Sequence, residues 1–225
     1  MIPLPTVPTQ DGVFCPLQHA AVYAMADRIA ADARIPEGFL WARLPRYCSV
    51  PELEWARSVR SLRQEGCCGL AYIGDAGFDP TIDERMCALA GAFSRLQVRA
   101  RVFSPTELVE RIQHDGAPEA TCLLVPGFVP YSDAWATKQN WARAALGDLV
   151  VGRGKGPRSL TVVAAPSWKA VADAYGPYVR DHIREHYREI SPPATPMLPR
   201  DTPFAMTLDA AEAAMALAKQ DGDAL

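Results

Sequence analysis

Residues 73–81 read IGDAGFDPT, and they follow the apolar run GLAYI of residues 69–73. A helix is predicted directly after them, so a strand, a glycine loop and a helix stand in the order of a phosphate-binding loop. Against the pattern G-x-x-x-x-G-K-[ST], Gly74 and Thr81 match the first and last positions, but Asp79 and Pro80 replace the second glycine and the lysine. Asp79 adds a negative charge beside phosphate oxygens, and Pro80 supplies neither an ammonium nor a backbone donor. By itself the stretch indicates an ordinary turn.

Short apolar strands alternate with helices on both sides of this loop. The start of one helix is well marked, because Ser104 is a good N-cap, Pro105 suits the first helical position and Glu107 completes a capping box. Alternating elements of this kind predict a three-layer α/β domain, in which helices flank a mostly parallel sheet. The predicted strands are 68–73, 98–103, 121–125 and 160–165, and the predicted helices are 82–95, 105–113, 134–151 and 170–187, the last broken at Gly176-Pro177.

The flanking segments divide the chain. A helix is predicted over 16–33, a linking loop over 34–50, a helix over 52–64 and a short amphipathic helix over 208–219, after a stretch rich in proline. The predicted units are an N-terminal arm and helix (1–33), an α/β core (34–190), a Pro-rich linker (191–206) and a C-terminal helix (207–225).

Composition excludes several classes of protein. The 225 residues are 49% hydrophobic and 22% charged, which is ordinary for a globular protein, and the net charge of -3 gives no overall basic field for nucleic acid. The N-terminus lacks the features of a signal peptide, and no apolar run is long enough to span a bilayer. We therefore expect a cytoplasmic protein without a membrane partner.

Metal ligands are scattered. The six cysteines include no C-x-x-C pair, and Cys15 with His19 has no second pair to complete a zinc site. His182 and His186 stand four residues apart on a predicted helix, where a charged, solvated face is the preferred interpretation. We predict no metal site.

The order of the elements from Arg34 to Ile190 resembles that of the AAA+ ATPases that load replicative helicases, and of their relatives that assist transposition. The resemblance rests on an Ile-Pro lead-in, on GLAYIGDAG, on the helix start at 104–108, and on the segments TCLLVPGF and GRGKGPRSLTVVAAPS. It implies a P-loop NTPase fold of the AAA+ type without a substantial lid domain.

The family's functional positions fall on residues that cannot perform the family's chemistry. The phosphate-loop lysine falls on Pro80, the Walker B acids fall on Pro126 and Gly127, and the sensor residue falls among Ala164, Ala165 and Pro166. The resemblance therefore implies a vestigial nucleotide loop (Gly74, Gly77, Asp79, Pro80, Thr81), no catalytic residue and no cofactor, so ATP binding is not expected. The arginine-finger position falls near His182, between Arg180 and Arg184.

The resemblance implies a catalytically inactive scaffold that binds a protein partner in DNA replication or mobile-element maintenance. A replicative helicase or an active ATPase subunit is the implied partner, and Arg180 and Arg184 are candidate contacts. One alternative is an enzyme that uses the 74–84 loop for a substrate other than ATP, with an acidic mouth formed by Asp75, Asp79, Asp83 and Glu84. Another is a local DNA-binding protein that uses the basic stretch GRGKGPR, through Arg153, Lys155 and Arg158.

The aromatic residues after the strand 121–125 have two interpretations. Phe128, Tyr131, Trp135 and Trp141 could form a binding hot spot or cover the sheet as core. For Trp141 the core is the preferred interpretation.

Overall fold

A parallel sheet organises the molecule. The computed structural model describes residues 7–9, 12–14, 20–74, 77, 80–129, 140–156 and 159–190. Its five-stranded sheet has the order β4-β5-β6-β3-β7, and every neighbouring pair is parallel. A separate two-stranded antiparallel ribbon precedes it. The strands are β1 Val7–Thr9, β2 Gly12–Phe14, β3 Gly69–Ile73, β4 Ala100–Val102, β5 Cys122–Val125, β6 Leu160–Ala165 and β7 Tyr187–Ile190.

Helices cover both faces of this sheet. Alternate residues of β3 enter different cores: Leu70 and Tyr72 join a cluster with α2 to α5, whereas Ala71 and Ile73 join a cluster with α6 to α9. The predicted three-layer α/β fold is thereby confirmed. The helices are α1 Ala20–Tyr23, α2 Ala26–Ala33, α3 Glu37–Leu40, α4 Val50–Gln64, α5 Ile82–Arg95, α6 Pro105–Asp115, α7 Asn140–Lys155, α8 Trp168–Tyr175 and α9 Pro177–His186.

The prediction that residues 34–50 form a linking loop is wrong. It contains α3 and a 3-10 turn, Leu44–Arg46, and its side chains Phe39, Leu40 and Trp41 are buried in the core. Helix α2, which the sequence division placed in the N-terminal arm, packs in the same core through Ala26, Ala30 and Ala33. Pro36 and Pro45 interrupt any regular hydrophobic pattern in the segment. Its packing with α5 could therefore not be inferred from the local sequence.

Three boundaries also differ from prediction. The fifth strand of the sheet, β7, was not predicted: the predicted helix 170–187 includes its first residue, Tyr187, and no element was predicted for residues 188–190. An edge strand with two charged residues has little strand-like pattern. Helix α7 continues to Lys155, so residues 152–155 of the glycine-rich basic stretch are helical rather than a loop. The predicted helix 16–33 is interrupted between Tyr23 and Ala26, and its residues 16–19 lie outside the described part of the chain.

Two further predictions concern the last residues of the chain and membrane-spanning helices. The predicted linker 191–206 and C-terminal helix 207–225 lie outside the described residues. Within the described ranges, no helix has both the length and the apolar character needed to cross a bilayer.

A buried ion pair ties the sheet to two helices. Glu52, in the first turn of α4, is fully buried, and its carboxylate accepts four hydrogen bonds. The donors are the backbone N–H and hydroxyl of Ser49 at 2.5 and 2.6 Å, the Tyr72 hydroxyl at 2.5 Å and Nη1 of Arg85 at 3.0 Å. Burial and the Glu52 carboxylate raise the pKa of Tyr72, so this hydroxyl remains a neutral donor. The pair thus joins α4, β3 and α5 at one point.

We expect Glu52→Gln to lower the free energy of unfolding by about 3 kcal/mol, because the buried Arg85 guanidinium loses its counter-charge. Urea denaturation measures this change. Glu54→Gln is the matched control on the same helix: Glu54 pairs with Arg188 at 3.0 Å in a partly exposed position, so we expect a loss below about 1 kcal/mol. Equal losses in the two variants would contradict a special role for the buried pair.

Candidate functional site

Three of the predicted site elements meet at the carboxyl edge of the sheet. In a parallel sheet the strands end at the same edge, where α/β proteins bind ligands. The loop after β3 contacts the end of β6 through Gly77 and Ala165. The segment after β5 contacts the same strand, because the Phe128 N–H donates to the Ala164 carbonyl at 2.8 Å. The residues that the sequence analysis assigned to the phosphate loop, to Walker B and to the sensor are therefore neighbours.

The loop after β3 packs directly on the backbone of β6. Gly74 has a positive φ of 71°, and its carbonyl accepts a hydrogen bond from the Gly77 N–H at 2.9 Å. A Cβ on Gly77 would lie 2.0 Å from the carbonyl oxygen of Ala165, so only glycine fits this contact. Asp75 and Asp79 lie outside the described residues.

Thr81 is engaged within the protein. It is the residue before α5, and its hydroxyl accepts a hydrogen bond from Nε of Arg85 at 3.1 Å. Arg85 is in turn paired with the buried Glu52. The hydroxyl that would bind magnesium in a working phosphate loop is therefore connected to the buried ion pair. Pro80, at the lysine position, is exposed.

An aromatic pair fills the segment that follows the Walker B strand. Pro126 and Gly127 occupy the two acid positions, and Gly127 has a positive φ of 62°. Phe128 is fully buried and stacks on Tyr175 with ring centroids 4.4 Å apart, while the Tyr175 hydroxyl donates to the Phe128 carbonyl. These contacts fix the turn with apolar and backbone groups.

The remaining aromatic residues divide differently from the prediction. Phe128 belongs to the core, but the expectation that Trp141 does so is wrong, because Trp141 is 44% exposed at the start of α7. Tyr131 and Trp135 lie outside the described ranges.

The acidic mouth of the alternative enzyme hypothesis is only partly described. Asp83 and Glu84 lie in the first turn of α5, where carboxylates interact favourably with the helix dipole. Among the described residues, no group of three histidine, cysteine or acidic side chains is arranged to hold a metal ion.

Two residues of the predicted basic patch, Arg153 and Lys155, lie in the described part of the chain, and their surroundings differ. Arg153 faces the protein: its Nε donates to the Thr161 hydroxyl at 3.1 Å, and its Nη2 donates to the carbonyls of Thr121 and Leu160 at 3.1 and 2.8 Å. The sequence made Arg153 a candidate contact for DNA or a partner. Its hydrogen bonds show instead that it joins α7 to β5 and β6. Lys155 is exposed, and Arg158 lies outside the described residues.

The two candidate partner arginines lie on α9. Arg180 pairs with the adjacent Asp181 at 2.7 Å, and the Arg184 guanidinium lies over the Trp168 ring at 5.7 Å. Arg180 is partly exposed, and Arg184 is exposed. Their contacts are local, which leaves them at the surface of the helix.

His182 is partly buried, on a helix for which the sequence predicted a charged, solvated face. Its ring lies 4.8 Å from that of His186 and packs against Gly154 near the end of α7. Nε2 of His182 is buried and has no hydrogen-bond partner among the described residues. Burial, followed by the neighbouring His186, lowers the pKa of His182 below its ordinary value of 6.5.

The residues that position these elements were not predicted from the sequence. Glu52 follows Ser49 by three residues, so the capping box was legible, but its burial against Arg85 was not. Arg63, at the end of α4, donates to the carbonyls of Gly154 and Gly156 and to Sγ of Cys68. No local signal connects a residue of α4 with the distant end of α7.

Comparison with solved structures finds a likeness to a helicase loader. The chain is similar to the crystal structure of the DnaC helicase loader, with a TM-score of 0.45 and 16% sequence identity, over 63% of this chain and 88% of that chain. No protein-family model matches the chain, and no curated protein matches it.

Gly77→Ala tests the close approach of the loop to β6. We expect the free energy of unfolding to fall by about 1 to 3 kcal/mol, because the new Cβ overlaps the Ala165 carbonyl. Gly152→Ala is the control: its Cβ meets nothing within 4 Å in helix α7, so we expect a gain of up to about 1 kcal/mol. Urea denaturation of both variants measures the difference, and a neutral Gly77→Ala would show that the loop does not need this contact.

His182 makes stability depend on pH. Because its folded-state pKa is lowered, the unfolded chain binds more protons below 6.5, and the free energy of unfolding falls as the pH drops through that value. We expect His182→Asn to reduce the loss measured by urea denaturation between about pH 7.5 and about pH 5.5. His114→Asn, on α6, should leave that loss unchanged. An identical pH dependence in the parent and in His182→Asn would contradict the assignment.

Proposed function

We propose that the chain is a catalytically inactive scaffold of AAA+-like architecture that acts through protein–protein interaction. The observation that carries the proposal is the convergence of three substituted elements at the carboxyl edge of the sheet. Pro80 stands at the lysine position, Pro126 and Gly127 stand at the acid positions, and Ala164 and Ala165 stand at the sensor position. None of these side chains carries a charge or a hydrogen-bonding group.

Phosphoryl transfer depends on groups of the kind that these positions lack. The reaction needs positioned cations and magnesium ligands to neutralise charge that develops on the phosphate oxygens. Proline and alanine offer neither. The one polar group retained in the motif, the Thr81 hydroxyl, already accepts a hydrogen bond from Arg85 at 3.1 Å.

Packing at the same edge supports a structural role for the loop. The backbone at Gly77 lies against Ala165, and the Phe128–Tyr175 stack holds the neighbouring turn. Contacts of this kind stabilise the edge without a ligand. A protein that keeps the scaffold while it lacks the charged groups is suited to work as an adaptor, an inhibitor or a structural subunit.

The proposed setting follows from the resemblance to helicase loaders and transposition helpers. A replicative helicase or an active ATPase subunit is the proposed partner, in DNA replication or in the maintenance of a mobile element. Arg180 and Arg184 on α9 are the proposed contacts, since both guanidinium groups lie at the surface. An arginine is well suited to pair with a carboxylate or a phosphate of a partner.

Calorimetry with ATP and with ADP, each with and without magnesium, tests the absence of a nucleotide site. We expect no saturable heat at millimolar nucleotide and no release of phosphate in a parallel hydrolysis assay. Thr81→Ala should change neither result, because its hydroxyl serves Arg85 rather than a metal ion. Saturable binding or turnover that Thr81→Ala abolishes would overturn the proposal and identify an unorthodox ATPase.

Binding to purified replicative helicase from the same genome tests the proposed partner. We expect a complex on size-exclusion chromatography, with an affinity that Arg180→Ala combined with Arg184→Ala lowers about tenfold. Arg111→Ala on α6 is the control, because Arg111 makes a comparable exposed pair with Asp115 at 2.8 Å. Failure to bind the helicase would contradict this choice of partner, and an equal effect of the control would contradict the choice of α9.

A further inference from the structure

A large cleft opens at the amino edge of the sheet, opposite the vestigial loop. Its volume is about 1120 Å³. The end of α4, the residues just before β3, the end of α7 and helix α9 enclose it. It is slightly larger than the cavities of about 300–1,000 Å³ that usually hold small molecules.

The lining of the cleft contains basic side chains and no carboxylate. Arg63, Lys155, His182 and His186 contribute to its wall, and no aspartate or glutamate is among the lining residues. A cleft lined by one sign of charge concentrates the field of that charge and attracts ligands of the opposite sign.

The cations differ in how far the protein itself uses them. Arg63 donates to the carbonyl of Gly154 at 3.1 Å and to that of Gly156, which satisfies the end of helix α7. Two nitrogen atoms, Nε of Arg63 and Nε2 of His182, are buried without hydrogen-bond partners among the described residues. Lys155 is exposed, and no ion pair with another described residue involves it. Lys155 is therefore available to an anion in the cleft, whereas Arg63 is engaged by the end of α7.

The floor of the cleft is apolar. Val59, Phe93, Val98 and Leu160 line it beneath the basic rim. A simple inorganic anion would leave these side chains in contact with water, whereas a ligand with an apolar body would cover them and gain the free energy of burial. The combination of a basic rim and an apolar floor describes an amphiphilic ligand.

We propose that the cleft at the amino edge binds an organic anion, with a carboxylate or phosphate group on an apolar body. The anionic group would lie between Lys155 and His182, and the apolar body would lie over Phe93 and Leu160. This site is separate from the carboxyl edge, so it goes beyond the proposed scaffold function and does not depend on the absence of ATP binding.

The affinity should rise as the pH falls. A histidine cation holds an anion more strongly than a neutral imidazole does, and His182 becomes protonated only below its ordinary value of 6.5, because its pKa is lowered. Several charged or titratable groups on the surrounding elements act on this ring or line the same cleft. They are His186, Glu185, Tyr178 and Tyr187 beside it, Arg63 from α4, Cys68 before β3, and Arg153 and Lys155 from α7.

Calorimetry on the full chain tests the site with three probes: decanoate, phenyl phosphate and uncharged decanol. We expect saturable binding of decanoate, of phenyl phosphate or of both, and much weaker binding of decanol. Binding of one anion alone identifies the group that the cleft prefers, and binding of both shows recognition of the charge with either group. Equal binding of decanol and decanoate, or no binding of either anion, would overturn the proposal.

Two variants place the binding in the cleft. Lys155→Gln and His182→Gln should each weaken the binding of the anion about tenfold, which corresponds to the loss of one charge-assisted contact. Lys169→Gln on α8 and His114→Gln on α6 are the matched controls, because both residues lie outside the lining of the cleft. Circular dichroism confirms that each variant is folded. Unchanged affinity in Lys155→Gln and His182→Gln, or equal losses in the controls, would overturn the assignment.

Gly154→Ala gives an independent check that retains every charge. A Cβ at this position would lie 2.5 Å from Nε2 of His182, so the imidazole has to move away from α7. We expect the affinity for the anion to change while that for decanol does not. An unchanged affinity for the anion would show that the position of His182 is irrelevant and would overturn its part in the site.

Discussion

The interaction between Glu52 and Arg85 determines how strand β3 and its flanking helices fit together. Removing two charges from water is costly, and the pair persists because Ser49, Tyr72 and Arg85 saturate the carboxylate. The same arginine holds the Thr81 hydroxyl at 3.1 Å, so the start of α5 and the end of the loop after β3 depend on a charge buried in α4.

The two edges of the sheet have different chemistry. At the carboxyl edge, backbone contacts at Gly77 and the stack of Phe128 on Tyr175 join the loops to one another. At the amino edge, Arg63 and Arg153 hold the ends of α7 and β6 together and leave an open cleft with a basic rim. A scaffold without nucleotide chemistry and a separate site for an anion are compatible, because nearly the full length of the strands lies between them.

Elements whose signals are local were predicted well. The strand 160–165, the helix 82–95 and the capping box at Ser104 agree with the structure, because apolar runs and cap residues act within a few residues of the chain. The segment 34–50 and the edge strand β7 were missed. Their conformations depend on packing against α5 and on pairing with β3, and the chain between these partners is long.

The identity of each chemical group at the candidate site is a property of the sequence. Proline and glycine at positions 80, 126 and 127 carry no charge in any fold. Which groups pair depends on the tertiary structure: Glu52 with Arg85, Arg63 with the end of α7, and His182 with Gly154. The reason is physical. The composition of a side chain is a local property, whereas its burial, its partners and its pKa depend on residues that packing brings together from distant parts of the chain.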